Sequence, residues 1–355
     1  MSGVSLRLDV DAWRRHLRVV SESTPGIVPV AKGNGYGFGL PRLALEAQNL
    51  GADTIAVGLP AEVALVRDGF AGDIVIMMPW RPDDDLAREL LADPRVISTV
   101  SRVEDLAAIT TLVENAASKP RVIMEVRTSM QRHGVRPDDL VTVPGRLDAI
   151  TFEGWTIHLP LLDQGRYLEA ERLARAALAT VAAPLWISHL PVAEATTLAK
   201  QLGGAGREPV PMRLRVGTRL WLGDPGSVST VATVLDVHPV RRGDRVGYRQ
   251  RRIAGNGWLL VIAGGTAHGI GMEAPTAASS GRQRLVALAT GGLEAAGRAL
   301  SPYTIAGRKR WFCEPPHMQS SQVLLPESVP PPRVGDDVRV ELRLTTAVVD
   351  QIVEV

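Results

Sequence analysis

The chain reads as a (β/α)8 barrel followed by a mostly β domain, and three observations predict it. Through the first 220 residues, eight short runs rich in Val, Ile, Leu and Met alternate with amphipathic stretches. Such alternation makes a parallel sheet with crossover helices, and eight units in about 200 residues match the size of a closed barrel. After Gly223 the texture changes to β-branched runs cut by Gly, Pro and Asp turns, without a sustained helical period. An open, doubly wound sheet is the other arrangement of the same alternation.

The strands are expected at 27–31, 54–57, 73–78, 96–100, 121–126, 152–158, 185–190 and 212–216. Each is a nearly unbroken apolar run, as a strand covered on both faces requires. Helices are expected at 11–21, 60–68, 103–117, 166–180 and 192–202, several opening with Asp, Ser or Pro near the first turn. The barrel is therefore drawn at 8–223 and the β domain at 224–355, joined by residues 1–7. The Pro-rich stretch 329–332 reads as a rigid connection between strands, and no internal repeat is visible.

Composition narrows the function. With 45% hydrophobic and 22% charged residues, the chain is neither disordered, fibrous nor membrane-embedded. A net charge of +2 provides no concentrated basic field, which argues against nucleic-acid and membrane-surface partners. The single cysteine, Cys313, cannot form an internal disulfide, and the opening MSGVSLRLDVDAWRRH has no apolar core of a secretory signal. A cytoplasmic setting is expected. Apolar runs are broken well before about 18 residues, so no bilayer span is expected. No HExxH, paired CxxC or EF-hand pattern points to a metal, and no nucleophile elbow begins a Ser-His-Asp triad.

Chemistry that needs a primary amine has four candidates, because only Lys32, Lys119, Lys200 and Lys309 are lysine among 40 basic side chains. Lys32 follows the first apolar run, where a barrel gathers its functional groups, and precedes Gly33-Asn34-Gly35-Tyr36-Gly37-Phe38-Gly39. Barrel wall around such a lysine favours the neutral amine that attacks an aldehyde. Taken alone it is equally a surface lysine closing a strand. The glycines follow the lysine, which fits neither a phosphate-binding Walker loop nor a dinucleotide fingerprint. The eighth run ends in Arg215-Val216-Gly217-Thr218, where Gly217 lets the backbone approach an anion and Thr218 adds a donor. Together the two strand ends suit an aldehyde-bearing, phosphorylated cofactor, namely pyridoxal 5'-phosphate.

These residues resemble the alanine racemase family of pyridoxal phosphate enzymes. Val28-Pro29-Val30-Ala31-Lys32-Gly33-Asn34-Gly35-Tyr36-Gly37 is similar to the signature whose lysine is joined to the cofactor and whose tyrosine touches its phosphate. Glu125-Val126-Arg127-Thr128-Ser129-Met130-Gln131-Arg132-His133-Gly134 resembles the block whose arginine, here Arg132, holds the cofactor phenolate and the substrate carboxylate. Thr156-Ile157-His158 resembles the strand-six histidine, and Arg215-Val216-Gly217-Thr218 the segment whose arginine meets the pyridine nitrogen. Val246-Gly247-Tyr248 resembles the second-base motif. The matches run in family order from near residue 6 to near residue 345. The resemblance implies an amino-acid racemase, for alanine or a related or bulkier amino acid. Lys32 would serve one face of the α-carbon and Tyr248 the other, in a homodimer whose partner supplies Tyr248.

Departures touch the substrate side most. Glu125 stands where many relatives carry a carbon-dioxide-modified lysine, and a carboxylate could brace Arg132 directly. The tyrosine-rich entrance block is replaced by Ile262-Ala263-Gly264-Gly265-Thr266-Ala267-His268-Gly269, implying a wider mouth. The carboxylate-binding segment lines up best with His317-Met318-Gln319, making Met318 the substrate-side residue. The phosphate-binding serine is not evident in Ser188-His189-Leu190-Pro191-Val192, nor is a late phosphate-contacting tyrosine. His189 and His268 read equally well as structural histidines. Alternatives are a pyridoxal phosphate-dependent amino-acid decarboxylase, a cofactor-binding protein without turnover, and, more remotely, a cofactor-free sugar barrel.

Overall fold

All eight apolar runs form strands of one parallel sheet. The computed structural model describes residues 2–113, 118–161, 164–272 and 299–355. One compact unit is Arg14–Gly223, and the other joins the residues up to Trp13 to those from Asp224 onward.

In chain order the first half contains β1 (Val4–Leu8), α1 (Val10–Glu22), β2 (Ile27–Pro29), α2 (Leu40–Asn49), β3 (Thr54–Val57), α3 (Glu62–Arg67), β4 (Asp73–Pro79), α4 (Asp85–Glu89) and β5 (Val96–Val100). Then follow α5 (Val103–Leu112), β6 (Arg121–Val126), β7 (Thr151–His158), α6 (Arg166–Thr180), β8 (Leu185–Ser188), α7 (Val192–Gly203), β9 (Met212–Val216) and α8 (Thr218–Leu222). The helix expected over 103–117 is seen to Leu112, and residues 114–117 lie outside the described part. The helices α2, α4 and α8 and the strand β1 were not among the elements expected from the sequence.

The sheet order is β2-β9-β8-β7-β6-β5-β4-β3. A parallel bridge between Val30 and Ala56, with the Ala31 amide donating to Ala56 O at 2.8 Å, joins its two edges. The barrel is closed, which excludes the open-sheet arrangement. Val28, Val30, Ala56, Val75, Ile97, Ile123 and Trp186 fill its interior. A second layer packs helix residues such as Leu106, Ile109, Leu173 and Leu198 over Val100, Met124 and Trp155. Each large side chain buried there contributes roughly 1.5–3 kcal/mol.

The other unit adds β10 (Val228–Val240), β11 (Arg245–Val246), β12 (Arg251–Arg252), β13 (Gly257–Ala263), β14 (Leu300–Ile305), β15 (Arg308–Phe312), β16 (Ser320–Pro326), β17 (Asp337–Val340) and β18 (Gln351–Glu354). Residues 273–298 of the expected β domain lie outside the described part. The sheet order is β13-β16-β15-β14-β17-β10-β1-β18, and β10 also pairs with β13. An irregularity between Val234 and Asp236 lets the 13-residue β10 bend and serve both neighbours. Six strands therefore close on themselves around Ala232, Val234, Leu260, Ile262, Tyr303, Phe312 and Val323. Among the described residues no helix is long and apolar enough to cross a membrane.

Candidate active site

The first and last barrel strands, β2 and β9, pair directly, and this brings the candidate residues together. Val28 is level with Arg215 and Pro29 with Val216. Beyond the strand, the Val30 amide donates to Val216 O at 2.9 Å, and the buried Trp221 indole donates to Val30 O at 2.8 Å. Lys32 and the 215–218 segment consequently share one lip of the barrel.

The loop after Lys32 turns Tyr36 back toward that segment. The Tyr36 amide donates to Asn34 Oδ1 at 3.1 Å, and Tyr36 takes the left-handed φ of 57° that ordinary side chains avoid. Its hydroxyl hydrogen-bonds Thr218, and burial pushes its phenol up to about 12. The phenol therefore stays protonated at neutral pH and can donate to an anion. A Cβ on Gly217 would stand only 2.1 Å from the Tyr36 hydroxyl, so only glycine permits this approach. Tyr36, Gly217 and Thr218, singled out from distant parts of the sequence, form one polar cradle.

Glu62 is a site residue that sequence reasoning missed. Its carboxylate is 8% exposed and accepts from the Gly33 amide at 2.8 Å, the Gly58 amide at 2.6 Å and the Leu59 amide at 3.1 Å. It ties the loop after Lys32 to the loop after β3. Because its partners are backbone amides, no side-chain motif announces it.

The charges at the mouth are mostly positive. Burial, then Arg132 and Arg215, lower the Lys32 amine, while Glu62 opposes them weakly. Arg215 is buried; desolvation brings it to about 10, with Glu125 holding it up and Arg132 pushing it down. Its Nη2 reaches Ile157 O only at 3.4 Å, and its buried Nε has no hydrogen-bond partner. Glu125, 5% exposed, is raised by desolvation and pulled back by Arg215, Arg132 and Arg81. Arg132 Nη2 lies 3.9 Å from Glu125 Oε1, an ion pair rather than a hydrogen bond, so the carboxylate serves both arginines at once.

His158 ends β7 level with Ser188, which is level with Arg215. Burial and then Arg215, Arg132, His189 and Lys32 push it down to about 3. The edge of its ring meets His189 at 5.0 Å, and His189 adopts a left-handed φ of 65° without being glycine. Its place at the barrel mouth puts His189 among the site groups, beyond what the sequence decided. Folding keeps His158 neutral where the unfolded chain takes a proton. Its stabilisation is complete above about pH 6.5 and is lost as pH falls toward 3, by about 1.4 kcal/mol per unit. Denaturant titrations of His158→Gln between pH 6.5 and 4.5 should therefore fall less steeply than wild type by about that slope. Parallel slopes would refute the neutral His158.

In the β unit, the turn between β11 and β12 carries Tyr248, which is 85% exposed. Its amide donates to Glu314 Oε2 at 2.8 Å, and its ring lies 4.6 Å from His317. Met318, 72% exposed, follows His317, whose carbonyl accepts from the Thr266 amide at 2.9 Å. Tyr248, the 317–318 segment and the 264–268 loop thus form one connected group. His268 is structural: it is buried, accepts from the Gly265 amide through Nδ1 at 3.2 Å and reaches Asp350 through Nε2 at 3.2 Å. Burial pushes the Cys313 thiol up to about 11, which makes it inert.

Residues 8–200 match the family described as alanine racemase, N-terminal domain. The chain belongs to the alanine racemase family. It is 28% identical over 163 residues to the alanine racemase of Desulfovibrio desulfuricans, covering 44% of this chain and 43% of that protein. Against the alanine racemase of Mycolicibacterium vanbaalenii it is 27% identical over 299 residues, covering 74% of this chain and 72% of that one. The match to the first of these curated relatives therefore spans less than half of its length. Among solved structures, alanine racemase from Bartonella henselae with covalently bound pyridoxal phosphate superposes with a TM-score of 0.73 at 17% identity, covering 100% of both chains. That of Streptomyces lavendulae gives 0.71 at 19% identity, covering 100% of this chain and 97% of the other. At such identities the structural likeness is one of fold.

Proposed function

We propose that this chain is a pyridoxal phosphate-dependent amino-acid racemase acting on alanine or a related, bulkier amino acid. The observation that carries the reading is the lowered amine of Lys32 on the same barrel lip as the Tyr36–Gly217–Thr218 cradle. The residues fit the cofactor: the buried Arg215 Nε lacks a partner, and a side chain at 217 would fill the cradle. Lys32 would bond its aldehyde carbon, Tyr36, Gly217 and Thr218 would hold its phosphate, and Arg215 would meet its ring nitrogen. His158 lines the same mouth, and Arg132 would meet the phenolate oxygen. When bound, pyridoxal phosphate supplies an electron-withdrawing ring that acidifies the α-carbon of an attached amino acid.

The chain's own groups do the rest. Arg132 would bind the substrate carboxylate, steadied by Glu125 from 3.9 Å, and the Met318 segment is the β unit's candidate for the same group. The Lys32 amine, neutral more often than an ordinary lysine, exchanges a proton on one face of the α-carbon. Tyr248 exchanges a proton on the other face. Arg215 does not readily release its proton, so beside a bound cofactor it would limit the ring's electron demand and would discourage transamination. Loss of both entrance tyrosines from 262–269 favours a substrate larger than alanine. Each site of a homodimer draws Lys32 from one copy and Tyr248 from the other.

Incubation of each enantiomer in heavy water should give α-deuteration and loss of optical activity. Carbon dioxide release would instead indicate decarboxylation, and cofactor binding without exchange a protein that has lost turnover. Lys32→Ala and Tyr248→Phe subunits, each unable to racemise, should when mixed and exchanged recover up to about a quarter of wild-type racemisation, because one site of each mixed dimer is complete. Mixtures that stay dead, when wild type survives the same treatment, would rule out shared sites.

A further inference from the structure

Both oxygens of the buried Glu314 carboxylate are engaged beside Tyr248. Oε1 accepts from His317 Nε2 at 2.7 Å, and Oε2 accepts from the Tyr248 amide at 2.8 Å. The carboxylate also occupies the space over Gly247, where a Cβ would stand 2.2 Å from Oε2 and φ is already 72°. His317 is held in turn by its backbone, donating to Ser320 O at 2.9 Å and accepting from the Thr266 amide at 2.9 Å. Its ring lies 4.6 Å from that of Tyr248, inclined by 44°. A tyrosine 85% open to solvent is thereby fixed at its amide by Glu314 and along its ring by His317.

We propose that Glu314 and His317 are positioning residues for Tyr248 and set the reach of its hydroxyl toward one face of the substrate. The proposal rests on Tyr248 being the second base. A base works only within hydrogen-bond reach of its proton, and a misplacement of about 1 Å costs on the order of a hundredfold. An exposed tyrosine without such supports would divide its time among side-chain rotamers. Lys32 belongs to a different loop with its own anchor, Glu62, so the effect of losing His317 falls on one enantiomer only.

The test uses holoenzyme and both enantiomers of alanine in heavy water, following α-proton exchange from each separately. Tyr248→Phe should lose exchange from one enantiomer by about a hundredfold or more while keeping the other within about threefold. His317→Ala should show the same one-sided loss, at least about tenfold, and His317→Phe, which restores the ring contact, should recover part of it. A second readout is independent of turnover: amide hydrogen exchange in residues 246–250 should quicken at least about tenfold in Glu314→Gln and His317→Ala. Equal slowing of both enantiomers in His317→Ala, or unchanged amide protection in both variants, overturns the positioning role. Failure of wild type to exchange either enantiomer, or a symmetric effect of Tyr248→Phe, removes the second-base reading itself and the proposal with it.

Discussion

Replacing Lys32 by alanine is expected to lower α-proton exchange by about a thousandfold or more. The amine has two duties in the proposed reaction, covalent attachment of the cofactor and proton transfer on one face. No other lysine can assume them. Lys309 pairs with Glu341 at 2.6 Å in the β unit, Lys200 lies in the last turn of α7, and Lys119 precedes β6. The depressed pKa of Lys32 arises from its own surroundings, namely barrel wall, Arg132 and Arg215, so an amine placed elsewhere would not acquire it. Borohydride reduction of wild-type holoenzyme followed by digestion should place the pyridoxyl group on the peptide containing Lys32, and the alanine variant should lose the label. A label on another lysine would refute the assignment.

Gly217→Ala is expected to weaken pyridoxal phosphate binding by roughly 10- to 100-fold, which corresponds to losing one or two charge-assisted hydrogen bonds. The new methyl would stand 2.1 Å from the Tyr36 hydroxyl and 3.1 Å from the ring carbon bearing it. Tyr36 cannot easily withdraw, because its left-handed backbone and its Asn34 hydrogen bond fix the loop. Either the Tyr36–Thr218 contact breaks or α8 shifts. Removing the hydroxyl relieves most of this clash, so Tyr36→Phe combined with Gly217→Ala should bind little worse than Gly217→Ala alone. Cofactor titrations followed by absorbance distinguish the outcomes, and additive losses would show that the two residues do not meet.

Parallel barrel strands are buried on both faces, and that made 54–57, 96–100, 121–126 and 212–216 legible residue for residue. The first strand proved shorter than its apolar run because after Pro29 the chain turns its pairing from β9 toward Ala56: the Val30 amide still reaches Val216 O, but the Ala31 amide donates to Ala56 O and closes the cylinder. Strand β1 escaped notice for a different reason: it pairs with residues 228–232 and 351–354, a partnership with no local signature. The residues of the proposed cofactor side stood out in the sequence because Lys32, Tyr36, Arg215 and Gly217 each mark a strand end or a tight loop. Glu62 and Glu314 were not, since both act on backbone amides. A carboxylate that accepts from Gly33 or Tyr248 looks in sequence like any other glutamate.

The adjacency of β2 and β9 bears on how the protein is made. A ribosome releases Lys32 long before it has polymerised Arg215, Gly217 and Thr218, yet the proposed anion cradle would need all of them side by side. A partly translated chain therefore has nothing with which to grip the vitamin derivative. If the proposed residues hold the cofactor, loading would wait for the eighth strand to emerge, and a polypeptide cut short before Met212 would lack the Arg215–Thr218 half of the cradle.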